Sequence, residues 1–505
     1  MREFFLALIF VFAQVPAAET FRLSLLGEPH SLNPQTTAAR GGNYLFHSIY
    51  RGLYRYHSQR GLILEGARSC TRSNLKLTCV LRAEHRWSTG QPIVAADYVR
   101  SFRSLIDPEH KSPQRDIILT LKNARAISTG KTAPSELGVT ALNSSTIQFE
   151  FSEDDPEFEF KLINPALAPT PEAGFPEAPQ SESLACSGPY RIVSWKRGRS
   201  ILLTANPHYG LKSNPHRPDL EVFFIDDDST GLRLYEAGKL NFLRRLTAED
   251  IPRYRKSPDF VQIPMARFDY VGFGPELEEL PKLRQALIEA VDFKGFMALF
   301  DTKGPPGCPS LPQRLLDRNR CIEPNVSHAK SLIKGTAVPP LKFYFSKMGG
   351  DDIERSAEWF QNQWKKNLNL HVELASEEQV VYLRRLRVKP PAIFRKGVTL
   401  DRPTCLAGLE LFTKDNPENF VGLKDEKFES LVSALKKSRS ENERRANCRK
   451  AVEQLMQSNR IIPLGEMYFT LLIRPKFKNW DLNELNQLDL TDLTEVKESG
   501  STSDL

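Results

Sequence analysis

Long apolar runs, ready-made metal motifs and nucleophile motifs are all missing from this chain, and each gap removes a class of protein. The longest apolar run covers residues 4–15, twelve in all with Gln14 as its one polar member, against the ~20 that a membrane-crossing helix needs. An integral membrane protein is therefore not expected. The nine histidines include no His-Glu-x-x-His and the seven cysteines no Cys-x-x-Cys, so no zinc site can be read. No Gly-x-Ser-x-Gly elbow is present, which leaves a serine hydrolase without its nucleophile. A concentrated basic stripe is missing too: 69 basic and 62 acidic residues leave a formal +7 spread along the chain. That balance argues against a dedicated nucleic-acid binder and leaves acidic small ligands open.

What is present is ordinary globular composition at multi-domain length. With 505 residues, 40% hydrophobic and 26% charged, about three packed domains are expected. Arg2, the apolar residues 4–15 and Val15-Pro16-Ala17 predict a cleaved signal peptide over residues 1–17 and a mature start at Ala18. No cysteine precedes Cys70, so no lipid anchor is expected, and a periplasmic address follows.

Disulfides are then permitted. Cys70 and Cys79 flank an eight-residue segment in which a two-residue turn at Asn74-Leu75 sets them opposite each other on adjacent strands. Cys308 and Cys321 bracket a proline-rich loop and are the second candidate pair. Cys405 and Cys448 make the weakest pair, being distant in sequence. Cys186 is read as a buried thiol rather than a nucleophile.

Period-two alternation predicts strands at residues 21–25, 77–81, 146–151 and 341–345. Helical stripes fall at residues 94–105, 354–368, 425–435 and 442–455. Mixed elements without internal repeats indicate an α/β or α+β protein. Proline-rich stretches at 165–179 and 304–312 mark crossings between domains, and residues 498–505 read as a loose tail. Thr129-Gly130-Lys131-Thr132 ends like a phosphate loop, but Arg125 stands where its opening glycine belongs. The acidic residues Glu153, Asp154, Asp155, Glu157 and Glu159 lack the spacing of a calcium loop and read as a solvated acidic loop.

Several segments together carry a resemblance. Gly27-Glu28-Pro29 with Ser31-Leu32-Asn33-Pro34, Tyr50-Arg51-Gly52-Leu53, Trp87-Ser88-Thr89-Gly90-Gln91-Pro92 and Ala95-Ala96-Asp97-Tyr98 resemble the large solute-binding proteins of bacterial ABC importers, family 5. Asp107-Pro108 and the stretch from Gly130 to Leu142 are similar to its oligopeptide-binding branch. Ser187-Gly188-Pro189-Tyr190, Asn206-Pro207-His208-Tyr209, Leu283-Arg284-Gln285-Ala286-Leu287 and Ile462-Pro463-Leu464 extend the likeness, although Phe293 stands where an arginine is usual. The resemblance implies an α/β, two-lobed periplasmic binding protein with an extra domain inserted in the first lobe. The first lobe is expected from residues 18–58, 177–268 and 468–505, the inserted domain from 59–176 and the second lobe from 269–467. It further implies an oligopeptide or other small ligand enclosed between the lobes, a partner permease in the inner membrane, a monomer, no catalytic residue, no metal and no cofactor.

Ligand-contacting positions follow from the same likeness: Glu28, Pro29 and His30; Ser187 and Gly188; Arg395, Lys396, Gly397, Val398, Thr399 and Asp401; Glu466 and Met467. The family pairs the ligand backbone with exposed strand edges, a mode that gives affinity without sequence preference. One departure stands out. Thr399 occupies the place of the aspartate that holds the peptide ammonium, and a hydroxyl cannot neutralise a charge. Asp401, two residues on and on the same strand face in a regular strand, and Glu466 are the candidate replacements. The basic run Arg384, Arg385, Arg387, Lys389, Arg395 and Lys396 reads as a solvated face; with Arg395 or Lys396 turned into the cleft it would select a ligand carboxylate. Rival readings are a binder of an acidic ligand without a free amine, and a sensor or scaffold without transported ligand.

Overall fold

In the computed structural model, residues 19–36, 43–175, 181–211, 214, 217–299, 306–309, 321–348 and 351–496 are described. The expected signal segment and the 498–505 tail lie outside them. Alternating apolar residues build three main sheets, one for each packed layer. Phe21, Leu23 and Leu25 point into one core because side chains on a strand alternate faces. Their strand, Phe21–Leu25, sits in a seven-stranded sheet in the order Phe260–Pro264, Tyr468–Ile473, Phe242–Leu243, Phe21–Leu25, Leu220–Phe224, Ser200–Ala205, Tyr190–Lys196. Three separate stretches of chain thus build one sheet.

The second sheet has four strands, ordered Ala67–Ser73, Lys76–Leu81, Thr146–Glu150, Val139–Asn143. The Ala95–Ile106 helix covers it, burying Tyr98, Phe102 and Leu105 against Phe149 and Leu77. Asn74 takes the left-handed conformation that the two-residue turn requires, and Cys70 faces Cys79 and is bonded to it.

The third sheet has five strands, ordered Val372–Glu377, Leu341–Ser346, Ile393–Thr399, Arg267–Phe273, Ile461–Pro463. Both of its faces are covered. Val271, Phe343 and Ile393 pack under the Asp351–Leu368 helix with Phe360 and Trp364, while Phe268, Tyr270 and Phe394 pack on the opposite side with Phe412 and Phe420. Each such side chain contributes roughly 1.5–3 kcal/mol when fully buried. The helices Glu426–Lys437 and Glu441–Gln457 start where the sequence offers caps: Asp425 accepts from the Phe428 amide at 2.9 Å, and Ser440 forms a capping box with Glu443.

Sheet membership corrects the expected border at residue 268. Arg267 and Phe268 already pair with Thr399 and Val398, so the crossing into the second lobe lies between Pro264 and Arg267. The cysteine pair ranked weakest is also formed: Cys405 bonds Cys448 across 43 residues, because helix packing brings together what sequence keeps apart. Cys308 bonds Cys321 and Cys186 is a buried free thiol.

Candidate ligand-binding site between the lobes

Two chain crossings join the first and third sheets, and they run side by side. One lies between Pro264 and Arg267 and the other between Pro463 and Tyr468, and the Met265 amide donates to the Met467 carbonyl at 2.8 Å. Directly beyond this joint, the ends of Arg267–Phe273 and Ile393–Thr399 turn polar on one face. In register, Arg267 lies opposite Thr399 and Asp269 opposite Gly397, and Arg395 follows on the same face by alternation.

Asp269, 1% exposed, is shared by two guanidinium groups. Arg267 pairs with it through Nε and through Nη2, the latter at 3.2 Å, and Arg395 reaches it at 3.4 Å. Arg267 also directs Nη1 toward Thr399 Oγ1 at 3.4 Å. Gly397 is what allows this arrangement, since a Cβ there would collide with the Arg267 guanidinium and the Asp269 carboxylate. Burial lowers the Arg395 pKa, and the Asp269 charge opposes that shift. Arg395 Nε has no hydrogen-bond partner among the described residues. From the first lobe, Arg245 crosses to Asp352 at 3.0 Å.

The strand carrying Thr399 is half open. Its pairing with Leu341–Ser346 ends after Ile393 and Phe394, so residues 395–399 keep a ladder only on the Arg267–Phe273 side. The Arg395 carbonyl accepts from the Tyr382 hydroxyl. An extended ligand has a strand edge beside it here.

The remaining expected positions are dispersed. Lys396 turns to the other face, over the Phe420 ring, and pairs with Glu418 at 3.4 Å; burial lowers its pKa and Glu418 raises it. Val398 shares that face by alternation. Asp401 is not on the strand face, because the strand ends at Thr399 and Leu400 is buried; its carboxylate pairs with Arg402 at 2.9 Å. Glu466 lies in the second crossing and accepts from the Tyr468 hydroxyl at 2.6 Å. Met467 contributes its carbonyl to the joint.

Glu28 is bound inside the first lobe by Trp195 Nε1 at 2.7 Å, the Gly198 amide at 3.1 Å and Arg197 at 3.2 Å. Pro29 is buried and His30 exposed. Ser187 and Gly188 are not a cleft edge. The Ser187 hydroxyl takes the Arg51 amide at 3.0 Å and its carbonyl meets His85 at 3.1 Å, while Gly188 presses on the backbone of Ser48 and Ile49. The inserted domain packs on them, and Cys186 is tied to Ser88 through both backbone groups.

Of the basic run, Arg384, Arg387 and Lys389 are exposed, while Arg395 is buried in the polar cluster and Lys396 is half-buried. The acidic loop is solvated only in part. Glu157 is half-buried, paired with Arg402 at 2.7 Å and with the Thr404 hydroxyl at 2.9 Å, and the buried Asp155 holds Lys161 at 2.6 Å. Burial raises the Glu157 pKa, although Arg402 pulls it down. Sequence reasoning missed Arg267 and Asp269. Their signal was there: in Arg267-Phe268-Asp269-Tyr270 the aromatics alternate with charges, which puts both charges on one face. Among the described residues, no group of three or more His, Cys, Asp or Glu is placed to hold a metal ion, and no helix is long and apolar enough to cross a membrane.

Comparison with known proteins gives this geometry a context. A family model described as bacterial extracellular solute-binding proteins, family 5 Middle, matches residues 67–420. The oligopeptide-binding protein OppA of Bacillus subtilis is 24% identical over 484 residues, covering 89% of this chain and 87% of the relative. The probable deoxycholate-binding periplasmic protein YgiS of Escherichia coli is 25% identical over 497 residues, covering 92% and 91%. Among solved structures, the murein tripeptide binding protein MppA of Escherichia coli superposes with a TM-score of 0.78 at 20% identity, over 95% of this chain and all of the other. A periplasmic oligopeptide-binding protein of Borrelia burgdorferi, OppAIV, gives a TM-score of 0.78 at 22% identity, again over 95% of this chain. The two-lobed α/β fold is shared with these structures.

Proposed function

Because this chain belongs to the bacterial extracellular solute-binding proteins of family 5, we propose that it captures peptides between its two lobes and delivers them to the permease of an ABC importer. The half-open strand edge at residues 395–399, beside the joint between the lobes, carries the reading. A peptide laid along it gains backbone hydrogen bonds that do not depend on its side chains, and closure of the second lobe excludes water from the bound chain. The capture step breaks no bond, so the role needs neither a nucleophile nor a cofactor. An exported, monomeric carrier fits the same reading, since a single cleft serves one ligand at a time. Relatives named for peptide binding extend over most of this chain, which supports it further.

Native mass spectrometry of the protein purified from its own compartment tests the proposal. The expected spectrum shows mass increments that fragment as short peptides. A protein that carries only a non-peptide increment, and that binds no member of a mixed peptide library, sinks it.

A further inference from the structure

We infer that the outer face of the Gln379–Val388 helix, together with Met348, is a docking surface for a bilayer whose headgroups carry negative charge, so that the second lobe associates reversibly with the membrane whatever the cleft holds. Exposure points to it first. Nine large apolar side chains are exposed among the described residues, and four of them, Met348, Val380, Val381 and Val388, lie on or beside this one helix, while the other five come from five separate segments. Single exposed apolar residues are ordinary on a protein surface, whereas a group on one face marks a contact.

The period of the helix builds the face. Tyr382 and Leu386 are buried in the core with Tyr270 and Phe394, which fixes the helix on the third sheet and turns positions 380, 381, 384, 387 and 388 outward together. Val380 and Val388 keep 81% and 77% of their surface open and Val381 54%, so no neighbouring element walls them in. Met348 is tied to the start of the helix: its amide donates to the Ser346 hydroxyl at 3.0 Å, and that hydroxyl donates to Gln379 at 2.5 Å.

Charge decides what covers the strip. Arg384 and Arg387 stand between the valines and, like Lys347 beside Met348, are exposed and make no ion pair among the described residues. Against these three stands Glu378 at the helix start. The flanking cations are matched, Arg385 by Glu377, Lys389 by Glu276 at 3.1 Å and Lys342 by Glu373 at 2.6 Å, so the strip stays positive. Its complement is a negative layer with an apolar layer just beneath, which is the order of an anionic membrane surface: guanidinium groups meet the phosphates and the valines dip below them. An acidic groove in a partner protein would match the charge, but a groove receives a helix by wrapping its sides. Here the sides are taken, since Leu383 packs on the core and Arg385 lies over the Tyr344 ring. A bilayer needs only the outer strip. Among the described residues no helix is long and apolar enough to cross a membrane, so the contact is with its surface.

The strip begins at the cleft end of the second lobe. Register sets Ser346 beside Glu377, just before the helix, and the strand Ile393–Thr399 runs parallel to Leu341–Ser346 and ends on the same side. A lobe seated by this strip carries the half-open edge of residues 395–399 to the membrane with it.

Co-flotation of the mature chain, from Ala18 onward, with extruded vesicles tests the inference. Vesicles of phosphatidylglycerol mixed with phosphatidylethanolamine are compared with vesicles of phosphatidylcholine alone. At about 0.1 M salt, where a charge is felt over ~10 Å, the wild type is expected to bind the anionic vesicles at least about tenfold more strongly than the neutral ones, and to be released at about 1 M. Each arginine near an anionic surface contributes about fivefold, so Arg384→Gln with Arg387→Gln should weaken anionic binding at least about tenfold. Val380→Ser with Val381→Ser should weaken it at least about threefold at unchanged net charge. Arg68→Gln with Lys131→Gln removes as much charge from exposed positions of the inserted domain and should change binding less than about twofold. The arginine and valine pairs are independent, so one poorly folded variant does not decide the result. An equal loss from the inserted-domain pair means that net charge alone binds, and overturns the inference, as does equal binding to both kinds of vesicle. No binding to either also overturns it and leaves the strip to an acidic protein partner. None of these outcomes touches peptide capture, which mass spectrometry reads separately.

Discussion

His47 and His85 are buried where the inserted domain meets the first lobe, and neither is free to take a proton there. Burial pushes the His85 pKa down to about 4 and that of His47 to about 3, with the Arg51 charge adding to the shift in both. An unfolded histidine titrates near 6.5, so between that value and about pH 4 the unfolded chain binds protons the folded one does not. Stability must therefore fall as pH falls through this window. From pH 7 to pH 5 the two residues together account for a loss of about 3–4 kcal/mol, read from urea unfolding at the two pH values. The double variant His47→Gln, His85→Gln should show a clearly flatter dependence. Gly397 offers a second test at this scale. Gly397→Ala sets a methyl group against the Arg267 fork and Asp269, and displacing a buried, bonded charge costs about 3–5 kcal/mol. A lower melting temperature is the expected outcome; an unchanged melting temperature counts against a rigid fork.

At the scale of elements, what could be read in advance was whatever repeats locally. Alternation located Phe21–Leu25, Lys76–Leu81 and Leu341–Ser346, and the stripes at residues 354–368 and 442–455 fall within helices that run a few residues longer. Contacts between distant segments had no local signature. Glu157 meets Arg402 across 245 residues, and nothing beside Glu157 in sequence separates it from its solvated neighbours. Ser187 and Gly188 were assigned to the cleft by likeness, yet Arg51 of the first lobe and His85 of the inserted domain bond to Ser187 and cover it. Thr399 was singled out in sequence, but its partner Arg267 lies in a strand that no motif marks. The disulfides show how such contacts act on stability. On a chain-entropy account a bridge stabilises more the longer the loop it closes. With separations of 43 and 9 residues, removing the Cys405–Cys448 bridge should cost about 4 kcal/mol and removing Cys70–Cys79 about 2.5 kcal/mol. Denaturant midpoints of the two Cys→Ala double variants check the order, and a larger loss from Cys70–Cys79 would contradict it.

For the whole molecule, the two adjacent crossings allow the lobes to turn about the Met265 to Met467 contact, while ion pairs among the described residues hold them together. Arg245 to Asp352 ties the first lobe to the second, and Glu157 to Arg402 ties the inserted domain to the second lobe. Arg402 is the deeper anchor: 6% of its side chain is exposed, and it also meets Asp401 and Glu410 at 2.9 and 2.6 Å. Glu157→Gln leaves those two partners in place and takes away only the charge that comes from the inserted domain. The variant should therefore fold normally while favouring the open arrangement. Losing one charge-assisted hydrogen bond that forms on closure is worth about 1.5–3 kcal/mol, and ligand affinity falls by the same free energy when the closed state is the binding state. That is a loss of about ten- to a hundredfold. Small-angle scattering of the unliganded variant should give a larger radius of gyration than the wild type, with the difference shrinking at saturating ligand. Equal radii with unaltered affinity would mean that the Glu157 contact persists in both arrangements and does not control closure.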